Sequence, residues 1–119
     1  MAHDANKVIV IGAGAAGLMA AGRLAERGRQ VALVEKRPLL ASKLRITGKG
    51  RCNVTTACDL SDFFAHIPTN ANFLYSALYT FTNADTMALL ERFGVPVKTE
   101  RGGRVFPASD RAKDVAEAL

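Results

Sequence analysis

The hydrophobic pattern is clearest in the first 36 residues. Val8 to Ile11 is an unbroken β-branched run, as expected of a parallel strand that is buried on both faces. From Ala15 to Arg27 the residues are good helix formers with apolar side chains on one face, and Gly28 stands where a helix commonly ends. A second apolar run covers Val31 to Val34. The order strand, turn, helix, strand predicts a βαβ unit of about 30 residues.

The remaining pattern predicts a basic loop, several helices and a hairpin. The loop runs from Lys36 to Arg51, where Pro38 and the Gly48–Gly50 stretch keep most of it from being helical. The predicted elements that follow are a short helix from Asp59 or Ser61 to Ile67, helices over 71–81 and 83–93 with Asn83 capping the second, a β-hairpin of 95–100 and 104–106, and a last helix from Ser109 or Asp110 to Leu119.

Composition limits the class of protein. The chain has 119 residues, 49% hydrophobic and 23% charged, which is typical of one globular domain. Its net charge of +5 favours anionic partners without choosing among phosphates, nucleic acid and acidic membranes. Two cysteines, Cys52 and Cys58, are too few for a zinc site or a disulfide framework. We therefore expect no bound metal, and we expect the protein to work in the reducing cytoplasm. The apolar run after Lys7 is too short to span a bilayer, so no membrane association is predicted.

A glycine motif connects the first strand to the first helix. Gly12, Gly14 and Gly17 form a G-x-G-x-x-G motif, which permits a sharp turn, a close backbone approach to a pyrophosphate, and tight packing of helix on sheet. The amide groups of the first helical turn would face the phosphates. Glu35 follows the second strand, 18 positions after Gly17, where a carboxylate can accept hydrogen bonds from a ribose. The motif therefore predicts a dinucleotide site that disfavours NADP.

The motif alone leaves FAD and NAD open, because both present the same ADP half. The loop from Lys43 to Thr55 is basic, contains glycine and is rich in Thr and Asn, so it can reach the far side of a pyrophosphate or a flavin. This favours FAD. A solvated basic loop explains the composition equally well.

Three segments carry a family resemblance. VIVIGAGAAGLMAA, KLRITGKGRCNVT and GRVFPASD resemble the N-terminal part of the aminoacetone oxidase-like (BaiN-type) family of FAD-binding flavoproteins. The resemblance implies an α/β fold, the start of a three-layer Rossmann-like FAD-binding domain with a parallel sheet. It also implies that residues 1–119 are an incomplete domain of a longer chain with an inserted substrate domain, so that these residues alone bind FAD weakly or not at all.

The resemblance also implies the cofactor contacts. The family often has a glycine and a basic residue where this chain has Ala41 and Ser42. The residues placed at FAD are Gly12, Gly14, Ala15, Ala16 and Gly17 at the pyrophosphate, Glu35 and Lys36 at the adenosine, and Lys43, Leu44, Arg51, Cys52 and Asn53 along the rest of the molecule.

The predicted function is that of an FAD-dependent oxidoreductase, which passes a hydride through the flavin to or from a small organic substrate. No catalytic residue is identified. Cys52 is interpreted as a packing and cofactor-lining residue, and Asp59, Asp62 and Asp110 as helix-terminal acids. The alternatives are an NAD-binding dehydrogenase domain, supported by Gly12–Gly17 and Glu35, and a nucleic-acid-binding module, supported by the charge alone. A nucleic-acid partner is not expected, because no recognition motif accompanies the basic loop.

Overall fold

A computed structural model of the protein describes residues 7–119, and it contains the predicted βαβ unit. Strands β1 (Lys7–Ile11) and β2 (Gln30–Val34) pair in parallel, with Ile9 opposite Ala32. Helix α1 (Ala15–Glu26) connects them and packs on both. The amide of Gly12 donates to the carbonyl of Val34 at 2.7 Å, so backbone pairing continues into the glycine turn. The turn is thereby anchored to the end of the sheet.

One face of β1 is open, so the prediction of a strand buried on both faces is wrong for this chain. Ile9 is 63% exposed and Ile11 is 85% exposed. The described residues place α1 against one face of the sheet and β2 along one edge of β1. Among residues 7–119, therefore, the β-branched run is covered on one face only.

The basic loop is more helical than predicted. Helix α2 (Ser42–Ile46) lies between Pro38 and Gly48, and a 3-10 turn covers Thr47–Gly50. Five residues without a breaker are enough for one helical turn, and the extended backbone of Thr47, just before Gly48, ends it. The predicted breakers therefore bound a short helix.

A second, antiparallel sheet contains the predicted hairpin. Strands β3 (Thr55–Thr56), β4 (Val97–Thr99) and β5 (Arg104–Pro107) are ordered β3-β5-β4. The hairpin of β4 and β5 is confirmed. Strand β3 is missed by the sequence pattern, because two residues show no alternation.

Helices α3 (Leu60–Ala65), α4 (Tyr75–Thr80), α5 (Asn83–Arg92) and α6 (Ala112–Ala118) complete the described residues. A 3-10 turn, Ala71–Leu74, precedes α4 within the predicted helix over 71–81. The last helix starts at Ala112 and not at Ser109 or Asp110. Among residues 7–119 no helix combines the length and apolar character needed to cross a bilayer.

The cap of α5 differs from the prediction. Thr82, and not Asn83, is the N-cap: its hydroxyl accepts from the Asp85 amide at 3.1 Å, and Asp85 accepts in return from the Thr82 amide at 2.8 Å. The Asn83 side chain is buried instead and donates to the carbonyls of Thr56 and Cys58. Asn83 thus links α5 to β3 and the residues after it.

The core lies where these elements meet. One buried cluster joins the glycine turn to α6 through Ala13, Leu18, Ala41 and Ala116. A second consists of Cys52, Leu90, Val95, Ala112 and Val115. Both clusters pack against Leu44 and Leu119. The glycine turn, the segment predicted as a basic loop and the last helix therefore share one continuous core.

Candidate functional site

The glycine turn has the shape that the motif predicts. Gly12 has φ +92°, a conformation that favours glycine. A Cβ atom on Gly17 would lie 1.8 Å from the carbonyl oxygen of Gly12, so α1 approaches the turn as closely as a glycine allows. By contrast, a Cβ atom on Gly14 would meet no atom within 4 Å. Gly14 therefore borders open space, which a ligand can occupy.

The N-terminus of α1 faces this space with its amide groups uncovered by side chains. Gly14 is the N-cap and offers no side-chain acceptor, and the first turn of α1 has no acidic residue. The first amides of a helix have no carbonyl partner within it, and the helix dipole favours an anion there. Ala15 and Ala16 are exposed on this turn. The arrangement suits a phosphate group.

Glu35 supports the turn from the end of β2. Its Oε2 accepts from the Ala13 amide at 2.8 Å, and its Oε1 accepts from the Arg37 amide at 2.9 Å. The hydrogen bond from Ala13, followed by that from Arg37, lowers the pKa of this carboxyl from its ordinary value of 4.5. Each carboxylate oxygen keeps a lone pair that could accept from a ribose hydroxyl. The predicted ribose contact stays a prediction, and it is compatible with the support of the turn.

Glu35→Gln is expected to loosen this turn in a pH-dependent way. A glutamine can accept one of the two amide donors but must face the other with its NH₂ group. Because the pKa of Glu35 is lowered by folding, its stabilising contribution is full above about pH 4.5 and is lost as the pH falls through the lower, folded-state pKa. The advantage of the wild-type unfolding temperature over the variant should therefore stay constant from about pH 7 to about pH 4.5 and shrink at lower pH.

Glu91→Gln, at an exposed position of α5, controls for the loss of a surface carboxylate. Thermal unfolding of the three full-length proteins across this pH range makes the comparison. If the difference in unfolding temperature between wild type and Glu35→Gln is the same at every pH, the hydrogen bonds from the two backbone amides do not depend on the charge of Glu35.

A cavity of about 720 Å³ lies beside the N-terminus of α1. Its volume is in the range of small-molecule and cofactor sites. The structure brings together here seven residues predicted from two separate segments: Gly14, Ala15, Ala16, Lys43, Leu44, Cys52 and Asn53. Residues from α5 and the C-terminal part, among them Leu89, Leu90 and Val115, add an apolar wall. The polar backbone end and the apolar wall suit a phosphate joined to an aromatic ring system.

The other predicted site residues lie outside this lining. Gly12 and Gly17 shape the turn from behind, Glu35 holds it, and the Lys36 side chain is exposed. The guanidinium of Arg51 is directed to other parts of the chain, where it pairs with Glu100 and Asp110. Asp110 is therefore an ion-pair partner, and it precedes α6 instead of lying in it.

Sequence reasoning missed Ala41. It is 2% exposed, has φ +55°, and donates its amide to the Ala13 carbonyl at 2.8 Å, which fastens α2 to the glycine turn. The glycine that the resembled family often has at this position is a signal that could have indicated a left-handed backbone. Thr47, also missed, lines the cavity next to Cys52.

Cys52 is buried, as its interpretation as a packing residue predicts. It is 3% exposed, and burial raises the pKa of its thiol. A thiol that is neutral at pH 7 is a poor nucleophile and a good packing group. Asn53 follows it on the cavity wall, so the T-G-K-G-R-C-N segment contributes three lining residues: Thr47, Cys52 and Asn53.

Known proteins match almost the whole chain. Residues 6–119 match the family model of the HI0933-like protein Rossmann domain. The chain is 34% identical over 117 residues to the 3-dehydro-bile acid delta(4,6)-reductase of Clostridium scindens, covering 96% of this chain and 28% of that protein. It is 34% identical to the ribosomal RNA dihydrouridine synthase of Haemophilus influenzae and 32% identical to that of Escherichia coli, in each case covering 93% of this chain and 27% of the relative.

These matches bear on fold and cofactor. The chain spans little more than a quarter of the length of these curated relatives. The matched domain confirms the predicted Rossmann fold, and it confirms FAD as the cofactor over NAD. The glycine turn, the open amides of α1 and the cavity that joins both motif segments have the character that such a domain requires. The chain belongs to the HI0933-like Rossmann-domain family.

Proposed function

We propose that this chain is the N-terminal, cofactor-holding part of a longer FAD-dependent oxidoreductase. The observation that carries the proposal is the convergence on one cavity of the open helix N-terminus at Gly14 and the wall formed by Lys43, Leu44, Cys52 and Asn53. These two segments are separated by almost 30 residues in the sequence, and each one alone is compatible with a loop that binds nothing.

Different residues of the site would contact different parts of FAD. The amides of Ala15 and Ala16, beside the open position at Gly14, would hold the pyrophosphate, and the carboxylate of Glu35 would hold the adenosine ribose. Lys43 would place a cation near the phosphates. Leu44 and Cys52 would exclude water from the remaining part of the cofactor. When bound, the flavin ring accepts a hydride and passes it on.

The names of the relatives suggest the kind of reaction. A delta(4,6)-reductase acts on ring carbon–carbon double bonds, and dihydrouridine is a uridine whose ring double bond has been reduced. We therefore propose that the whole protein reduces a ring carbon–carbon double bond of an organic substrate. The two free cysteines, Cys52 and Cys58, support a further proposal, that it works in the reducing cytoplasm.

A nucleic-acid substrate is a second candidate, and the expectation of no nucleic-acid partner is not supported by the relatives. Two of the three act, by name, on ribosomal RNA. The net charge of +5 is compatible with either substrate. The two candidate substrates are separated by measuring the affinity of the full-length protein for ribosomal RNA as a function of salt. A steep salt dependence would favour the nucleic-acid substrate, because it is typical of a surface that binds phosphates.

Gly14→Val tests the cofactor site directly. The backbone at Gly14 has φ −80° and the space beside it is open, so the variant should fold at a cost of about 1 kcal/mol for the altered N-cap. The new side chain would occupy the position of the pyrophosphate. FAD affinity should fall by about 100-fold, since a misplaced phosphate loses several hydrogen bonds at once.

Flavin absorbance after denaturation gives the FAD content of the full-length protein and of the variant. Gly14→Ala, with a smaller side chain, should lose less FAD than Gly14→Val. Stoichiometric flavin in Gly14→Val would show that the cofactor lies elsewhere, and a colourless wild-type protein that releases no FAD would overturn the proposed function.

A further inference from the structure

We infer that Arg51 is a positioning residue: through an ion cluster on the outside of the cavity wall, it holds Cys52 and Asn53 in place for the cofactor and does not touch the cofactor itself. The ion cluster consists of Arg51, Lys98, Glu100 and Asp110. The inference rests on the proposed function, because it concerns how that function's cofactor site is held.

The cluster is closely connected. Nε and Nη2 of Arg51 donate to Oδ1 of Asp110 at 2.9 and 2.7 Å, and Nη2 also pairs with Glu100. Nζ of Lys98 donates to Oδ2 of Asp110 at 2.6 Å and lies 3.6 Å from Oε1 of Glu100. Two cations thus face two carboxylates. The guanidinium of Arg51 also lies 4.1 Å from the ring centroid of Phe106, which is buried, so its position is fixed from two directions.

The cluster joins the segment of Arg51 to two segments that are distant from it in the sequence. Arg51 lies 49 residues from Glu100, which directly follows β4 in the hairpin turn, and 59 residues from Asp110. Asp110 comes two residues before α6 begins, and Val115 of α6 lies in the same buried cluster as Cys52. The ion cluster therefore ties the segment that carries Cys52 to the start of α6, where both border the cavity.

The backbone next to Arg51 explains why such support is needed. Cys52 has φ +61°, and Lys49 has φ +57° on the other side of Arg51. A left-handed conformation costs a residue with a Cβ atom about 1–2 kcal/mol, and it persists where the surroundings determine it. The side chains of the cluster are about one third exposed, so solvent screens their charges and their contribution is chiefly geometric. The ion cluster holds a strained turn whose next two residues face the cofactor.

A direct contact between Arg51 and the cofactor predicts the opposite effect for one variant. If the guanidinium bound a phosphate of FAD, Asp110→Asn would free it for that contact, and FAD affinity would stay the same or increase. If Arg51 acts through the ion cluster, Asp110→Asn and Arg51→Gln remove the same support. Both variants should then weaken FAD binding to a similar degree.

The experiment measures FAD affinity, flavin absorbance and the flavin reduction potential in the full-length protein and its variants. We expect Arg51→Gln and Asp110→Asn each to raise the Kd for FAD by about tenfold, and the double variant to be no weaker than the weaker single one. Arg51→Lys should not restore affinity, since a lysine cannot reproduce the forked contact with Asp110. At saturating FAD, the absorbance bands and the potential should shift in the same variants, because Cys52 and Asn53 line the cavity.

Arg23→Gln is the matched control. It removes an arginine that pairs with Glu26 on α1, away from the cavity lining, and should leave the affinity, the spectrum and the potential unchanged. If Asp110→Asn does not fold, Glu100→Gln replaces it, since it removes the other carboxylate partner of Arg51.

The outcomes separate this inference from the proposed function. The positioning role is supported if Asp110→Asn, or Glu100→Gln in its place, binds FAD more weakly and shifts the flavin absorbance bands. Wild-type affinity or tighter binding in that variant, together with weak binding in Arg51→Gln, overturns it in favour of direct contact. A wild-type protein that binds no FAD would instead overturn the proposed function.

Discussion

Gly17→Ala is expected to remove FAD binding and to destabilise the protein by about 3 kcal/mol, the upper part of the range for overpacked sites. The added methyl group would lie 1.8 Å from the carbonyl oxygen of Gly12. That oxygen belongs to the backbone of the turn, which is anchored to Val34, so it cannot rotate away as a flexible side chain could. Helix α1 must move outward, and its first amides then lose their position relative to the pyrophosphate.

Gly22→Ala is the control, because it makes the same change in the same helix. A Cβ atom at Gly22 would meet no atom within 4 Å. An alanine in a helix interior is more favourable than a glycine, so this variant should be more stable by about 0.5–1 kcal/mol and should bind FAD normally. Chemical denaturation of the full-length proteins gives the free energy of unfolding, and FAD titration gives the affinity. If Gly17→Ala and Gly22→Ala have the same stability and the same FAD affinity, the close approach of α1 to the turn is contradicted.

Gly48→Ala is expected to cost about 2–3 kcal/mol of stability and to weaken FAD binding, since left-handed strain and steric overlap add at this position. Gly48 has φ +57°, and a Cβ atom there would lie 2.8 Å from the amide nitrogen of Asn53 and 3.2 Å from Cε1 of Phe106. The overlap would push Asn53, a cavity-lining residue, out of place.

Gly50→Ala separates the two contributions to this effect. Gly50 has φ +84° but open space around its Cβ position, so only the left-handed strain applies, at about 1–2 kcal/mol. FAD affinity should remain near that of the wild type in Gly50→Ala and fall in Gly48→Ala. If both variants bind FAD equally well, contact between Gly48 and Asn53 does not determine the shape of the cavity.

Local features were predictable where one segment contains the whole signal. The βαβ unit follows from two apolar runs, a glycine motif and helical periodicity, all within 36 residues. The N-cap of α5 also had a local signal that the prediction misused. Thr82 and Asn83 are both good capping residues, and Asp85, three positions after Thr82, decides between them by completing the reciprocal capping pair.

Features that join distant segments were not predictable. The partners of Arg51 are 49 and 59 residues away, and nothing near Arg51 indicates which carboxylates it meets. The resemblance placed Arg51 at the cofactor, whereas the structure directs its guanidinium to the ion cluster. The buried side chain of Asn83 is a similar case, because its acceptors are the carbonyls of Thr56 and Cys58, the former in a strand too short to be predicted.

The sequence by itself determined the turn that holds a dinucleotide, because steric limits on glycine, β-branched residues and helix formers act within a few neighbouring residues. It also determined the charge and the types of side chain available to the cofactor. Only the tertiary structure decided that Gly14 and Cys52 face the same cavity, that Glu35 supports the Ala13 amide, and that Arg51 lies behind the wall. These arrangements depend on packing between segments far apart in the chain, whose relative positions no local preference fixes.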